Sequence, residues 1–243
     1  MTGMSLARRL VATLPVGVPG LFNPWRDWCD FDTRANGPTR KLERLAAHLS
    51  CQPYFIICGE AAGHLGCRHS GIAFTSERLL VDRAIPRVGP VKARLTKSKL
   101  SLSEPSATVV WRTLYELNIA ERVVLWNALP LHPHAKGNVR TNRTPNSAEL
   151  SIGTPALRLL IDAFPRAKVI PVGKKAEGLL QAMGVGAEPA LRHPAYGGAA
   201  AFSKGLSTLV NLYLDDCERR GILAGNRRST SQQAFYFRLT RVD

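Results

Sequence analysis

The chain has 243 residues, of which 33 are Lys or Arg and 18 Asp or Glu, a formal net charge of +15. At 45% hydrophobic it can bury a core without staples, and no uninterrupted apolar run approaches the ~18 residues of a membrane helix, which sets aside a membrane-spanning class. The cationic excess attracts polyanions, of which a nucleic-acid backbone is the commonest inside a cell. Cys29, Cys51, Cys58, Cys67 and Cys217 are odd in number and nowhere spaced CxxC, which argues against a disulfide framework. A metal site built from Cys51, Cys58 and Cys67 matches no recognisable ligand spacing, and none is expected.

Taken in chain order, residues 1–14 carry Arg8 and Arg9 before an apolar stretch too short for a signal peptide, and read as a frayed lead-in. Leu42, Leu45, Ala46 and Leu49 predict a helix over Pro38–Ser50. Tyr54–Cys58 is a continuous apolar run ending in Gly59, the pattern of a strand buried on both faces. Two further runs, Val123–Trp126 and Lys168–Val172, and a weaker one at Glu188–Leu191, repeat it. Helical patterns lie between and after them: Val110, Leu114 and Leu117; Leu157, Leu160, Ile161 and Phe164; then Leu206, Leu209, Val210, Tyr213 and Leu214. This alternation predicts a single α/β domain, a three-layer α/β/α sandwich around a four-stranded parallel sheet, with its core at about residues 38–220. Residues 226–243 form a basic tail containing Phe235-Tyr236-Phe237, read as an added strand or docked segment.

In such sheets a ligand sits at the carboxyl ends of the strands, and the chemically suggestive residues fall there. Gly59-Glu60-Ala61-Ala62-Gly63-His64 leaves the first strand, Asn127 ends the second, and Arg192-His193-Pro194-Ala195-Tyr196-Gly197-Gly198 leaves the fourth. Two long segments read as irregular, 86–103 and 129–153. They carry Arg87, Lys92, Arg94, Lys97 and Lys99 in one and His132, His134, Lys136, Arg140 and Arg143 in the other, and are candidates to embrace a phosphate backbone.

These blocks resemble the motifs of the uracil-DNA glycosylase superfamily. Gly59-Glu60-Ala61-Ala62-Gly63 is similar to motif A of the branch that reads GEAPG, and His193-Pro194-Ala195-Tyr196 to motif B. Ser70-Gly71-Ile72-Ala73-Phe74-Thr75-Ser76-Glu77 is similar to the segment that brings the stacking aromatic, and Asn127 looks like the base-reading asparagine. The resemblance covers about residues 54–215, in the family's order. Each motif alone is weak; four in order at strand ends are specific. Two departures stand out. Ala62 replaces the motif A proline, so that turn is less rigid, and the paired cysteines that hold the GEAPG branch's iron–sulfur cluster are missing. A cluster-free member is expected, with no cofactor.

The resemblance implies a monofunctional DNA-repair hydrolase that cleaves the N-glycosidic bond of uracil flipped out of DNA and leaves an abasic site. Glu60 is implied as general base or water-orienting group, and His193 as the donor to the uracil O2 as negative charge builds there. Ala61, Ala62 and Gly63 supply backbone around base or water, Phe74 stacks, and Asn127 reads the edge, since its amide both donates and accepts. Arg192, Tyr196 and Gly197 are expected at the minor groove, with Tyr196 the bulky candidate for a wedge, and His64 and Arg68 at the DNA rim. The expected partner is uracil-containing DNA, with the chain acting as a monomer, without a membrane, in a bacterial-type cytoplasmic setting. Two alternatives stay open: a glycosylase for another deaminated base such as hypoxanthine or xanthine, and a non-catalytic DNA-binding module on the same fold. A dehydrogenase is disfavoured, because no GxGxxG follows the first strand.

Overall fold

A computed structural model describes residues 1–91 and 93–220; the tail from Asn226, with its Phe-Tyr-Phe run, lies outside them. The chain opens on α1 (Gly3–Ala12), where a frayed lead-in was expected. The reason is amphipathicity: Leu6, Ala7, Leu10 and Val11 share one buried face, and Thr2 caps the helix by accepting from the Ser5 N–H at 3.2 Å. That face packs on α2 (Pro38–His48), which starts with a proline in its first turn. Between them Leu21–Phe22 forms β1.

The central sheet begins with β2 (Phe55–Ala61), followed by two short helices, α3 (Cys67–Ser70) and α4 (Glu77–Val81), then α5 (Pro105–Glu116) and β3 (Val123–Leu129). Segment 129–153 is not wholly irregular: it holds β4 (His132–Pro133), which pairs with β1, and α6 (Ser147–Ile152), closed by a capping box between Asn146 and Glu149. The helix α7 (Thr154–Ala163), the strand β5 (Lys168–Pro171), α8 (Lys174–Ala182) and the long α9 (Ala199–Arg219) complete the order.

The sheet is parallel with order β3-β2-β5. It has three strands rather than the expected four. Glu188–Leu191 does run beside β5, but contributes a single parallel bridge, Val172 to Leu191, with Leu191 donating to the Pro171 carbonyl at 2.8 Å. The Glu188 N–H also donates to β5, to the Val169 carbonyl at 2.8 Å, and the three-residue step from there to Leu191 breaks the two-residue repeat of a ladder. Strand alternation sends Ile56, Cys58, Val124 and Trp126 into one core with α1, α2 and α7, and Phe55, Ile57, Val123 and Leu125 into the other with α5 and α9. The three layers are therefore as expected. At the outer edge of β3 the buried His48 accepts from the Leu125 N–H at 2.9 Å, satisfying an amide that no neighbouring strand reaches.

Candidate active site

β2 and β3 both run past the ends expected for them, so Asn127 is a strand residue rather than the first of a loop. Register sets it opposite Gly59. Gly59 has to lack a side chain: a Cβ there would lie 2.5 Å from the Phe74 ring and 2.7 Å from the Asn127 Oδ1. The missing atom is what lets an aromatic face and an amide meet over the end of β2. Phe74 is 7% exposed and sits at φ 48°, a conformation that a bulky residue adopts only when its surroundings impose it. The imposing contacts are the buried Ile72 and Ala73 beside it, and Trp111, whose Nε1 donates to the Thr75 hydroxyl at 3.1 Å. The segment is further pinned by Arg44, donating to the Ser70 carbonyl at 2.7 Å, and Trp25, donating to that of Gly71 at 3.1 Å.

Glu60, Ala61, Gly63, Phe74, Asn127 and His193 line one cavity of about 50 Å³ at the carboxyl edge of the sheet. Of the residues expected at the base, only Ala62 faces elsewhere; it is buried in the core. Asn127 is 4% exposed and its side-chain amide has no hydrogen-bond partner among the described residues, so its donor and acceptor are both available to a ligand. His193 Nδ1 accepts from the Ala195 N–H at 3.1 Å, which leaves the ring proton on Nε2. Burial first, and then the neighbouring Arg192, hold its pKa below the ordinary value, so it is a neutral N–H donor. The Phe74 and His193 rings stand 6.1 Å apart.

Glu104 and Ser106 also line this cavity, and the sequence reading missed them. Glu104 stands at the start of α5 but does not cap it. Its carboxyl lies over the β2–α3 turn, where a Cβ on Gly63 would come within 2.6 Å of Oε1 and one on Gly66 would collide with Oε2. Burial without a compensating cation pushes its pKa up to about 7. Burial also raises the pKa of Glu60, with Lys175 opposing the effect. Glu104 is delivered by segment 86–103, and that segment is organised by Glu77. The fully buried Glu77 carboxylate accepts from the Leu95 N–H (2.6 Å), the Thr96 N–H (3.0 Å) and hydroxyl (2.7 Å), and the Leu102 N–H (2.9 Å). The signal for Glu104 was a lone acid before a helix-starting proline, which is how an ordinary cap also looks.

The rim residues divide. Arg192, Tyr196 and Gly197 are exposed, and Tyr196 is 98% so, held outward at φ 51° by a turn whose next residue, Gly197, is at φ 74°. Arg68 is buried. Its guanidinium meets His132 Nδ1 at 2.9 Å, donates to the Cys29 sulfur at 3.6 Å and lies 3.8 Å above the Phe22 ring. His64 is half-buried, its backbone N–H donating to Asn142 at 2.9 Å. Among the loop cations, Arg87 donates to the Glu121, His48 and Val123 carbonyls, and Arg143 is clamped on Glu149, so both brace the fold.

Among the described residues the one grouping of potential metal ligands is Cys29, Asp32 and His69. Lys41 already sits 2.6 Å from Asp32 and Arg68 touches the sulfur, so the charge a cation would neutralise is neutralised by the protein. No helix among these residues is long and apolar enough to cross a membrane.

Comparison with known proteins gives the same picture. The family described as the Uracil DNA glycosylase superfamily matches residues 47–215, which include every cavity residue named above. Among solved structures, wild-type Pedobacter heparinus SMUG2 is similar in fold, with a TM-score of 0.61 at 15% identity, over 88% of this chain and 99% of that one. No curated protein matches. With its motifs on the carboxyl edge of a parallel sheet and a family match across most of its length, this chain belongs to the uracil-DNA glycosylase superfamily.

Proposed function

We propose that the protein is a monofunctional DNA glycosylase that hydrolyses the N-glycosidic bond of uracil in DNA. The observation that carries this reading is the convergence over Gly59 of a free asparagine amide, a stacking ring and a neutral histidine N–H in one small cavity. A flipped base stacks on Phe74 while Asn127 donates to one carbonyl of the uracil edge and accepts from its N3–H. Cytosine presents the opposite pattern on that edge, leaving buried groups unpaired at about 1–3 kcal/mol each. As the glycosidic bond lengthens, negative charge on the base collects at its O2, where the His193 Nε2–H donates; a preorganised donor of this kind lowers the barrier by about 3–4 kcal/mol.

Two carboxyls in unequal surroundings then divide acid and base roles. Glu60, where Lys175 opposes the effect of burial, takes the base role, orienting the attacking water and favouring the cationic sugar. Glu104, without a cation, retains a proton near neutral pH and donates it toward the departing base. Tyr196, already exposed and conformationally fixed, fills the space the base vacates, with Arg192 and Gly197 beside the strand.

The test is an end-labelled oligonucleotide carrying one uracil, with thymine, hypoxanthine and xanthine counterparts, treated with alkali after incubation. Cleavage at uracil alone supports the reading. Cleavage only at hypoxanthine or xanthine replaces it with another deaminated base, and retention of DNA without cleavage replaces it with a binding module.

A further inference from the structure

Beside the base cavity lies a second, larger space of about 660 Å³, within the size range of small-ligand sites. The two share walls. Gly63 faces the cavity and His64 and Leu65 the cleft; Glu104 faces the cavity and Leu102 the cleft. The glycosylase mechanism uses none of the cleft's own groups. Its aromatic members are Trp28 and Phe31, with Phe22 behind. Trp28 is 69% exposed, which is unusual for the largest apolar side chain, and its ring lies across Gly37, where a Cβ would come within 2.7 Å. The far edge of the indole is thereby packed against backbone. The Arg140 guanidinium stands 4.4 Å over the Phe31 ring, and the Lys97 ammonium donates to the Asp30 carbonyl at 2.6 Å. Asp30 is the only acidic residue lining the cleft, against Lys97 and Arg140; the third cation of the lining, Arg68, is already engaged by His132 and Cys29. The nearby Asp32 is already matched by Lys41 and His69.

Flat rings edged by cations are the chemistry that recognises a nucleotide: the base stacks and the phosphate is paired. We infer that this cleft is a second nucleotide seat, taking an unflipped neighbour of the target base from a single strand of DNA. The inference rests on the proposed glycosylase reading only for the word neighbour. A single strand is required because a base within a duplex has both faces already stacked.

Two residues inside the cleft report on its occupancy. Trp28 is the exposed indole of the four, since Trp25, Trp111 and Trp126 are all buried. Cys29 lines the floor with its sulfur, an Asp32 oxygen and a His69 ring nitrogen within 4.8 Å of one another. Although burial opposes ionisation, hydrogen bonds from His69 and Arg68 bring its pKa down to about 7, whereas burial pushes the Cys51 and Cys67 thiols up and that of Cys58 to about 12. Cys29 lines the cleft while only 7% exposed, so its alkylation by iodoacetamide reads out access through the cleft.

The experiment titrates full-length protein with lesion-free single-stranded oligothymidylate and with a duplex of equal length. Tryptophan fluorescence and the Cys29 alkylation rate are followed, with strand retention read by mobility shift. The seat predicts quenching and protection of Cys29 by the single strand and neither by the duplex, with Trp28→Ala and Arg140→Ala each weakening strand binding about tenfold. A retained strand that leaves Cys29 alkylation unchanged overturns the inference, as does failure to bind single strands at all. Uracil excision is measured in parallel, with the same protein, on a single strand of equal length that carries one uracil. Quenching and protection without excision sink the glycosylase reading and leave the seat; excision without protection does the reverse.

Discussion

Asn127 and His193 act on opposite sides of the same event, one choosing the base and the other receiving the charge it carries away. Replacing Asn127 by Asp supplies an acceptor-only group where a donor is needed, so uracil excision should fall by at least about a hundredfold while DNA retention holds. His193→Ala should cost about 10²–10³ in single-turnover rate, again with binding intact. Unchanged excision by both variants would remove them from the site. Glu104 makes the pH prediction. Its folded pKa, about 7, lies above the 4.5 of an ordinary carboxyl. The folded state therefore binds the proton more tightly, and stability falls as pH rises through the window between those values. Glu104→Gln removes the titration, so its Tm relative to the parent should rise from pH 5 to pH 8. If Glu104 donates a proton, parental excision should decline above about pH 7 and the variant's profile should lose that limb; an identical profile in both would assign the group a purely structural role.

At the scale of elements, most of the sheet was legible because strands buried on both faces are written as continuous apolar runs, and Tyr54–Cys58, Val123–Trp126 and Lys168–Val172 all became strands. What apolarity does not encode is where pairing stops. Gly59-Glu60-Ala61 and Asn127-Ala128-Leu129 look like loop chemistry yet continue β2 and β3, while Glu188–Leu191 falls short of a strand because its donors to β5 stand three residues apart instead of two. The same ambiguity hid α1, whose apolar face becomes a signal only once α2 exists to receive it. Motif residues were found because they bring unusual side chains to strand ends; Glu104 was lost because a carboxyl beside a proline is an ordinary helix start. Strand pairing also makes Gly59 a sharp test. Gly59→Ala should preserve the fold, since strands accept alanine, but push Phe74 and Asn127 apart and lower excision at least about tenfold. Parental activity in a folded Gly59→Ala protein would contradict the packing described here.

For the molecule as a whole, the +15 formal charge was the first indication of a polyanionic partner, but many of its cations are used internally. Lys41 and Arg68 are buried, and Arg87 and Arg143 tie loops to backbone carbonyls, so the residues left for phosphate are fewer than the composition implies. Strand affinity should still drop steeply between 50 and 200 mM salt, as counterion release requires for any protein that neutralises several phosphates. A flat response would mean that capture depends on stacking alone. The Glu77 carboxylate gives this surface a further property. Because it gathers the Leu95, Thr96 and Leu102 amides at one point, residues 95–102, which lead into Glu104 and border the cleft, are expected to behave as one cooperative unit. Those three amides should exchange with solvent at a common rate, and Glu77→Gln should accelerate all three together. Base cavity and neighbouring cleft would then be gained and lost in the same fluctuation, so a strand that settles in one finds the other already formed.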